Sequence, residues 1–196
     1  MPGFYNVQIH DAAHTGCVVI LNGSLQITQP AVLSANLVKT NVTCNGANDG
    51  TITISSPAGG YGTYEYSING GGSWQASGNF TALAPATFNV QIRDAAHIGC
   101  IIVLNPALLI PQPPVLAATV TPTDLTCFGA NNGIIAITGT AGGYGTYEYT
   151  ITGGTTWSGL GNFSNLATTT YDIKIRDAAN IGCIITRNAA VRISKR

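Results

Sequence analysis

The chain has 196 residues, 45% of them apolar and only 8% charged, with eight basic and eight acidic side chains. Zero net charge leaves no global field to attract nucleic acid or anionic lipid, and the apolar share is too high for a disordered chain. No apolar run approaches the roughly 18 residues of a membrane-spanning helix, so membrane insertion is not expected.

Taken in order, the first predicted element is Tyr5-Asn-Val-Gln-Ile-His10, whose alternation of apolar and polar residues is that of a half-buried strand. Thr28-Gln-Pro-Ala31 reads as a linker. At Asn48-Asp-Gly50 a tight turn is expected, with the glycine supplying a positive φ. It opens a strand with Ile52 and Ile54 on one face. Gly59-Gly60 and Gly70-Gly-Gly72 mark reversals on either side of a strand holding Tyr64, Tyr66 and Ile68. Phe88-Asn-Val-Gln-Ile-Arg93 repeats the first alternation. Ile101-Ile-Val-Leu104 is apolar on both faces and reads as a central or doubly covered strand. Pro111-Gln-Pro-Pro-Val115 is a second, extended linker. No segment places apolar residues at helical spacing for three turns, so the chain reads as all-β.

One stretch organises these elements. Ala58-Gly-Gly-Tyr-Gly-Thr-Tyr-Glu-Tyr66 recurs unchanged as Ala141-Gly-Gly-Tyr-Gly-Thr-Tyr-Glu-Tyr149, 83 residues later. The same offset carries Cys44 to Cys127, Trp74 to Trp157, Cys17 to Cys100 and Cys183, and Asp11 to Asp94 and Asp177. A fixed period of this length predicts tandem immunoglobulin-like antiparallel β-sandwich modules of about 83 residues. Their expected bounds are 28–110 and 111–193, with residues 1–27 the C-terminal remnant of a truncated module. Met1-Pro-Gly-Phe-Tyr5 aligns with Ala84-Pro-Ala-Thr-Phe88, deep inside a module. The expectation is therefore an excised piece of a longer protein, or a subunit whose first module another chain completes.

Each module thus reads Cys-x-Gly-Ala-Asn-(Asp/Asn)-Gly, an isoleucine strand, Gly-Gly-Tyr-Gly-Thr-Tyr-Glu-Tyr, Asn-Phe-x-x-Leu-Ala, an aromatic strand and Arg-Asp-Ala-Ala-x-Ile-Gly-Cys. This order resembles the SprB-type repeat of bacterial gliding-motility adhesins. Residues 44–100 and 127–183 follow the pattern, and residues 5–17 follow its last part. The resemblance implies large repetitive proteins at the bacterial cell surface, exported by the type IX route, with no catalytic residues and no cofactor. Two departures stand out: the segment 94–100 is about two residues longer than the usual closing motif, and Phe128 follows Cys127 where Asn45 follows Cys44.

Five cysteines distributed by the repeat point to an oxidising compartment. Within modules, Cys44 would bond Cys100 and Cys127 would bond Cys183, 56 residues apart, leaving the partner of Cys17 outside the chain. Between modules, Cys17 would bond Cys44 and Cys100 would bond Cys127, 27 residues apart. Loop-closure entropy of about 4.2 against 3.6 kcal/mol does not separate the two. A thin core that needs its own staple favours the first. Trp74, Trp157 and the paired tyrosines are expected to fill the cores. Tyr61 and Tyr144, each bracketed by glycines at a loop tip, are the candidate ligand contacts, with surface glycans as the ligand class.

Catalysis and metal binding rank last. The module 111–193 has no histidine, and the eight carboxylates are scattered singly. Glu65 with Asp94 is the one acidic combination that repeats, as Glu148 with Asp177, and nothing in the sequence makes it converge as a glycosidase pair must. The expected role is a structural spacer of a long extracellular adhesin or surface filament, its partners neighbouring repeats or other copies of the chain. The alternatives are a fibre subunit completed by strand complementation and a carbohydrate-binding module.

Overall fold

The structure, a computed structural model, describes residues 1–127 and 129–195; Phe128 and Arg196 lie outside them. Every regular element among the described residues is a strand. In chain order these are β1 (Gly3–His10), β2 (Val18–Ile27), β3 (Ser34–Thr40), β4 (Gly50–Ala58), β5 (Tyr64–Ser67), β6 (Asn79–Leu83) and β7 (Ala86–Asp94). There follow β8 (Ile101–Ile110), β9 (Ala117–Thr123), β10 (Gly133–Ala141), β11 (Tyr147–Thr150), β12 (Asn162–Leu166), β13 (Thr170–Asp177) and β14 (Ile184–Arg192). They form a two-stranded ribbon, β1-β2, and four three-stranded sheets in the orders β3-β4-β6, β5-β7-β8, β9-β10-β12 and β11-β13-β14. The sequence period is thus a structural one, since the strands β3 to β8 recur as β9 to β14.

The chain separates into two compact units, each built from several stretches of sequence. Unit 1 comprises Met1–Leu37, Ile54–Gly78 and Asn89–Pro106; unit 2 comprises Val38–Thr53, Asn79–Phe88 and Ala107–Arg196.

In unit 1, β5 pairs antiparallel with β7 from Tyr64↔Asp94 to Ser67↔Gln91. The expected alternation appears there: Val90 and Ile92 are fully buried and Tyr66 nearly so. The run after Cys100 departs from expectation. β8 is an edge strand, not a central one, and Ile101 and Val103 stand exposed on it. An apolar run on both faces does not by itself place a strand in a sheet. The β1-β2 ribbon pairs from Gly3↔Ile27 to His10↔Val18 and leaves Ile9 and Ile27 about half exposed, at 56% and 48%. Their period mates Ile92 and Ile110 are at 0%.

In unit 2 the sheets β9-β10-β12 and β11-β13-β14 close on one core of Ala118, Leu125, Ile135, Ile137, Tyr149, Ile173, Ile175, Val191 and Ile193. This is a β-sandwich, and each fully buried isoleucine contributes about 1.5–3 kcal/mol. Three strands against three is leaner than the seven of an immunoglobulin constant domain.

Two sequence expectations change here. Gly50 does not adopt the positive φ expected of it, nor does its period mate Gly133; Gly133 is required because a Cβ would lie 2.8 Å from Ile193 Cγ2 and 2.9 Å from the Leu166 carbonyl oxygen. Gly50 is confined likewise, by Ile110 and Leu83. Nor do the tryptophans fill the cores. Trp74 and Trp157 are half-buried, each beneath a guanidinium: Arg93 at 4.4 Å and Arg176 at 4.2 Å. Those arginines pair with Glu65 and Glu148. A guanidinium over the face of a half-exposed indole is favourable by about 0.5–1 kcal/mol.

Candidate interaction site at the Gly-Gly-Tyr-Gly loop

The repeated loop is fixed by backbone proximity. Gly59 has φ +81°, and a Cβ on it would lie 2.1 Å from the Val32 carbonyl oxygen; Gly142, at φ +85°, meets Val115 at the same distance. Only glycine permits this approach. The next glycine of each pair hydrogen-bonds the linker, Gly60 N–H to the Ala31 carbonyl and Gly143 N–H to the Pro114 carbonyl, both at 2.9 Å. Tyr64 and Tyr147 donate their hydroxyls to the carbonyls of Gly59 and Gly142 at 2.9 Å. Linker and loop are therefore one built surface in each copy.

A buried carboxylate holds that surface from beneath. Asp94 and Asp177 are wholly inaccessible to solvent. Asp94 Oδ2 accepts the Tyr61 N–H at 2.5 Å, and Oδ1 accepts from Ala96 at 2.9 Å and His97 at 3.1 Å. Asp177 repeats the pattern with Tyr144, Ala179 and Asn180. The Tyr61 amide, followed by those of Ala96 and His97, holds the Asp94 carboxyl below its ordinary range against the opposing effect of desolvation. These aspartates tie the tyrosine loop to the loop before the closing cysteine.

In unit 2 this surface has an occupant. The loop 42–46 lies against it: Tyr144 donates its hydroxyl to the Val42 carbonyl at 2.7 Å, Asn45 Nδ2 donates to the Pro113 carbonyl at 2.9 Å, and Gly46 N–H donates to Gln112 Oε1 at 2.9 Å. Cys44 is bonded to Cys183, with Cα atoms 5.3 Å apart. The disulfide expectation is corrected on this point. Neither Cys44–Cys100 nor Cys127–Cys183 forms, and Cys17, Cys100 and Cys127 are exposed free thiols. The partner of Cys44 lies 139 residues away, one period beyond the 56 expected, because the opening loop seats on the second copy of the surface. Spacing alone cannot tell these choices apart, since they differ by the repeat length.

Of the candidate ligand contacts, Tyr61 is 59% exposed and stacks on His97 with ring centroids 4.0 Å apart; Tyr144 is 46% exposed and engaged with Val42. The acidic combination does not converge: Glu65 is paired with Arg93, while Asp94, the next residue along the strand, is turned into the protein. Asp49 closes its own loop, accepting the Thr43 hydroxyl and amide. In the second copy Asn132 accepts the Thr126 amide at 3.2 Å and donates to the Thr126 hydroxyl at 2.7 Å. No group of three or more metal-ligating side chains occurs among the described residues. What sequence reasoning missed is the role of Asp94 and Asp177. The signal was there: continuing the buried alternation of Val90 and Ile92 by two residues lands on Asp94, and a carboxylate on a buried face must find donors.

Compared with known families, the SprB repeat matches residues 36–73 and 119–156. The two matches fall on the same part of the period, from β3 or β9 to the turn after β5 or β11. Each contains an opening cysteine and a Gly-Gly-Tyr-Gly loop and ends before the aspartate and closing cysteine that complete the surface. No curated protein matches the chain.

Proposed function

We propose that the two SprB repeats carried by this chain are load-bearing spacers of a repetitive adhesin at the bacterial cell surface, with no enzymatic role. The observation that carries this reading is the Cys44–Cys183 bond, which fastens the opening loop of one repeat to the closing loop of the next. A covalent tie over this span resists extension and fits an oxidising location. The repeated carboxylates are consumed in loop closure and ion pairs, which argues for scaffold over catalysis.

Pulling the chain by its ends tests the mechanism. With the bond intact, the 139-residue interval cannot extend; reductant should release about 470 Å of further contour. Equal extension with and without reductant would sink the load-bearing role. Antibody labelling of intact cells tests the location, and buried or intracellular antigen would contradict it. Glycan-array binding that is lost in the Tyr61→Ala, Tyr144→Ala double variant would turn the reading toward a carbohydrate-binding module.

The ribbon β1-β2 supports a second reading. Ile9 and Ile27 lie open where their period mates are wholly buried, which is what a strand pair awaiting complementation by another chain would show. Sedimentation of the chain as a monomer at high concentration would dismiss it.

A further inference from the structure

The surface that grips the loop 42–46 in unit 2 exists a second time, in unit 1, without a loop in it. Pro30, Val32, Leu33, Gly60, Cys100 and Ile101 line a cleft of about 280 Å³. They are the period mates of Pro113, Val115, Leu116, Gly143, Cys183 and Ile184, which line a remnant of about 120 Å³ beside the seated Cys44 and Asn45. The Gly60 N–H to Ala31 bond and the Tyr61 amide to Asp94 bond hold the unit 1 cleft in the same form as its mate. The period mate of the seated cysteine, Cys127, is exposed and unbonded in this chain. Gly129 has φ +76° where Gly46 has +77°. Ala130 N–H bonds the Cys127 carbonyl at 3.2 Å as Ala47 bonds Cys44 at 3.1 Å. Gly129 and Ala130 thus already take the conformation of their mates Gly46 and Ala47, so docking requires little ordering of them.

We propose that the unit 1 cleft is a docking site for Cys127 and Gly129 of a second copy of the chain, latched by a disulfide between Cys100 of one copy and Cys127 of the other. Both thiols are exposed and unpaired. Gln29 and Pro30, which line the cleft, are the period mates of the acceptors Gln112 and Pro113 and would take their place. Phe128 offers no amide in place of Asn45, so one hydrogen bond of the seated pattern is forgone. A small-molecule disulfide such as oxidised glutathione serves as oxidant. One thiolate displaces a glutathione thiolate to form a mixed disulfide, and the second copy's thiolate displaces the other, so one oxidised glutathione becomes two reduced ones. The contact is head-to-tail, so each copy offers both a cleft and a loop and successive contacts build rings or open chains. It is independent of the adhesin reading.

Cys17 is the internal control: it is the period mate of Cys100 and likewise exposed, but residues 1–27 hold neither a proline linker nor a Gly-Gly-Tyr-Gly loop. Equal amounts of isotope-labelled and unlabelled chain would be incubated in a glutathione redox buffer, quenched by alkylation, and mapped for disulfide-linked peptides. Cys100–Cys127 links between copies should exceed Cys17–Cys127 links by roughly tenfold or more, a difference set by docking and not by thiol chemistry. The non-reducing ladder should vanish in Cys127→Ser and persist in Cys17→Ser. Tyr61→Phe should cut the Cys100–Cys127 yield severalfold, because its mate Tyr144 anchors the seated loop through its hydroxyl. Comparable trapping of Cys17 and Cys100, or a ladder that survives Cys127→Ser, overturns the proposal.

Discussion

Cys44 and Cys183 are joined across 139 residues, while the two cysteines nearest them in the repeat pattern stay reduced. Closing a loop of that length removes enough unfolded-chain entropy to contribute about 5 kcal/mol. For a chain of this size that corresponds to a fall in the thermal midpoint of about 10–20 °C. Calorimetry of Cys44→Ser and of Cys183→Ser should show that fall, and Cys100→Ser should leave the midpoint where it was. A chain indifferent to the loss of Cys44 would deprive the bond of its structural role.

The strands were legible because their residues alternate. Val90 and Ile92, Ile52 and Ile54, and Ile173 and Ile175 are buried as the period of two requires. The loop was legible because Gly-Gly-Tyr-Gly repeats without change. The disulfide was not, since a tandem array makes every cysteine spacing ambiguous by a multiple of the period. Only the contacts of Asn45, Gly46 and Tyr144 select the longer interval. The edge position of β8 was illegible for another reason: Ile101 and Val103 are as apolar as core residues, and what leaves them exposed is strand order, which local sequence does not encode.

The glycines of the second loop separate two costs. Gly142 and Gly145 both have positive φ, at +85° and +93°, but only Gly142 has backbone where a Cβ would go; Gly145 has nothing within 4 Å. Gly145→Ala should therefore cost about 1–2 kcal/mol, the conformational penalty alone. Gly142→Ala should cost well beyond that, since the Val115 backbone must move. Urea titration of the two variants measures both, and equal losses would mean that the linker is not packed on the loop.

Two residues hold conformations that their period mates suit better. Ala82 has φ +55°, and its mate is Asn165 at +57°; Ser56 has φ +50°, and its mate is Gly139 at +61°. Asparagine and glycine accept this region at lower cost than alanine or serine. Ala82→Asn and Ser56→Gly should each stabilise the chain by about 0.5–1 kcal/mol, read as a higher urea midpoint at unchanged slope. A lower midpoint for Ala82→Asn would mean that the exposed methyl makes a contact worth more than the backbone strain.

Acid should loosen the loops before it reaches the cores. Asp94 is held below its ordinary range chiefly by the Tyr61 amide, and Asp49 chiefly by the Thr43 hydroxyl and then its amide. A carboxylate whose folded pKa is depressed contributes stability that is fully present above its unfolded value near 4, and that is lost as pH falls through the folded value. Urea midpoints should therefore be level from neutrality to about pH 5 and decline below about pH 4. Asp49→Asn copies the second repeat, where Asn132 closes the equivalent loop with an uncharged amide. That variant should keep most of its stability at neutral pH and lose less than the parent on acidification. Asp177→Asn behaves differently, because its amide group cannot accept all of the backbone donors that the carboxylate serves. A buried N–H left without a partner costs about 1–3 kcal/mol at every pH. An Asp49→Asn variant with the acid sensitivity of the parent would show that the loop at Thr43 does not sense the charge.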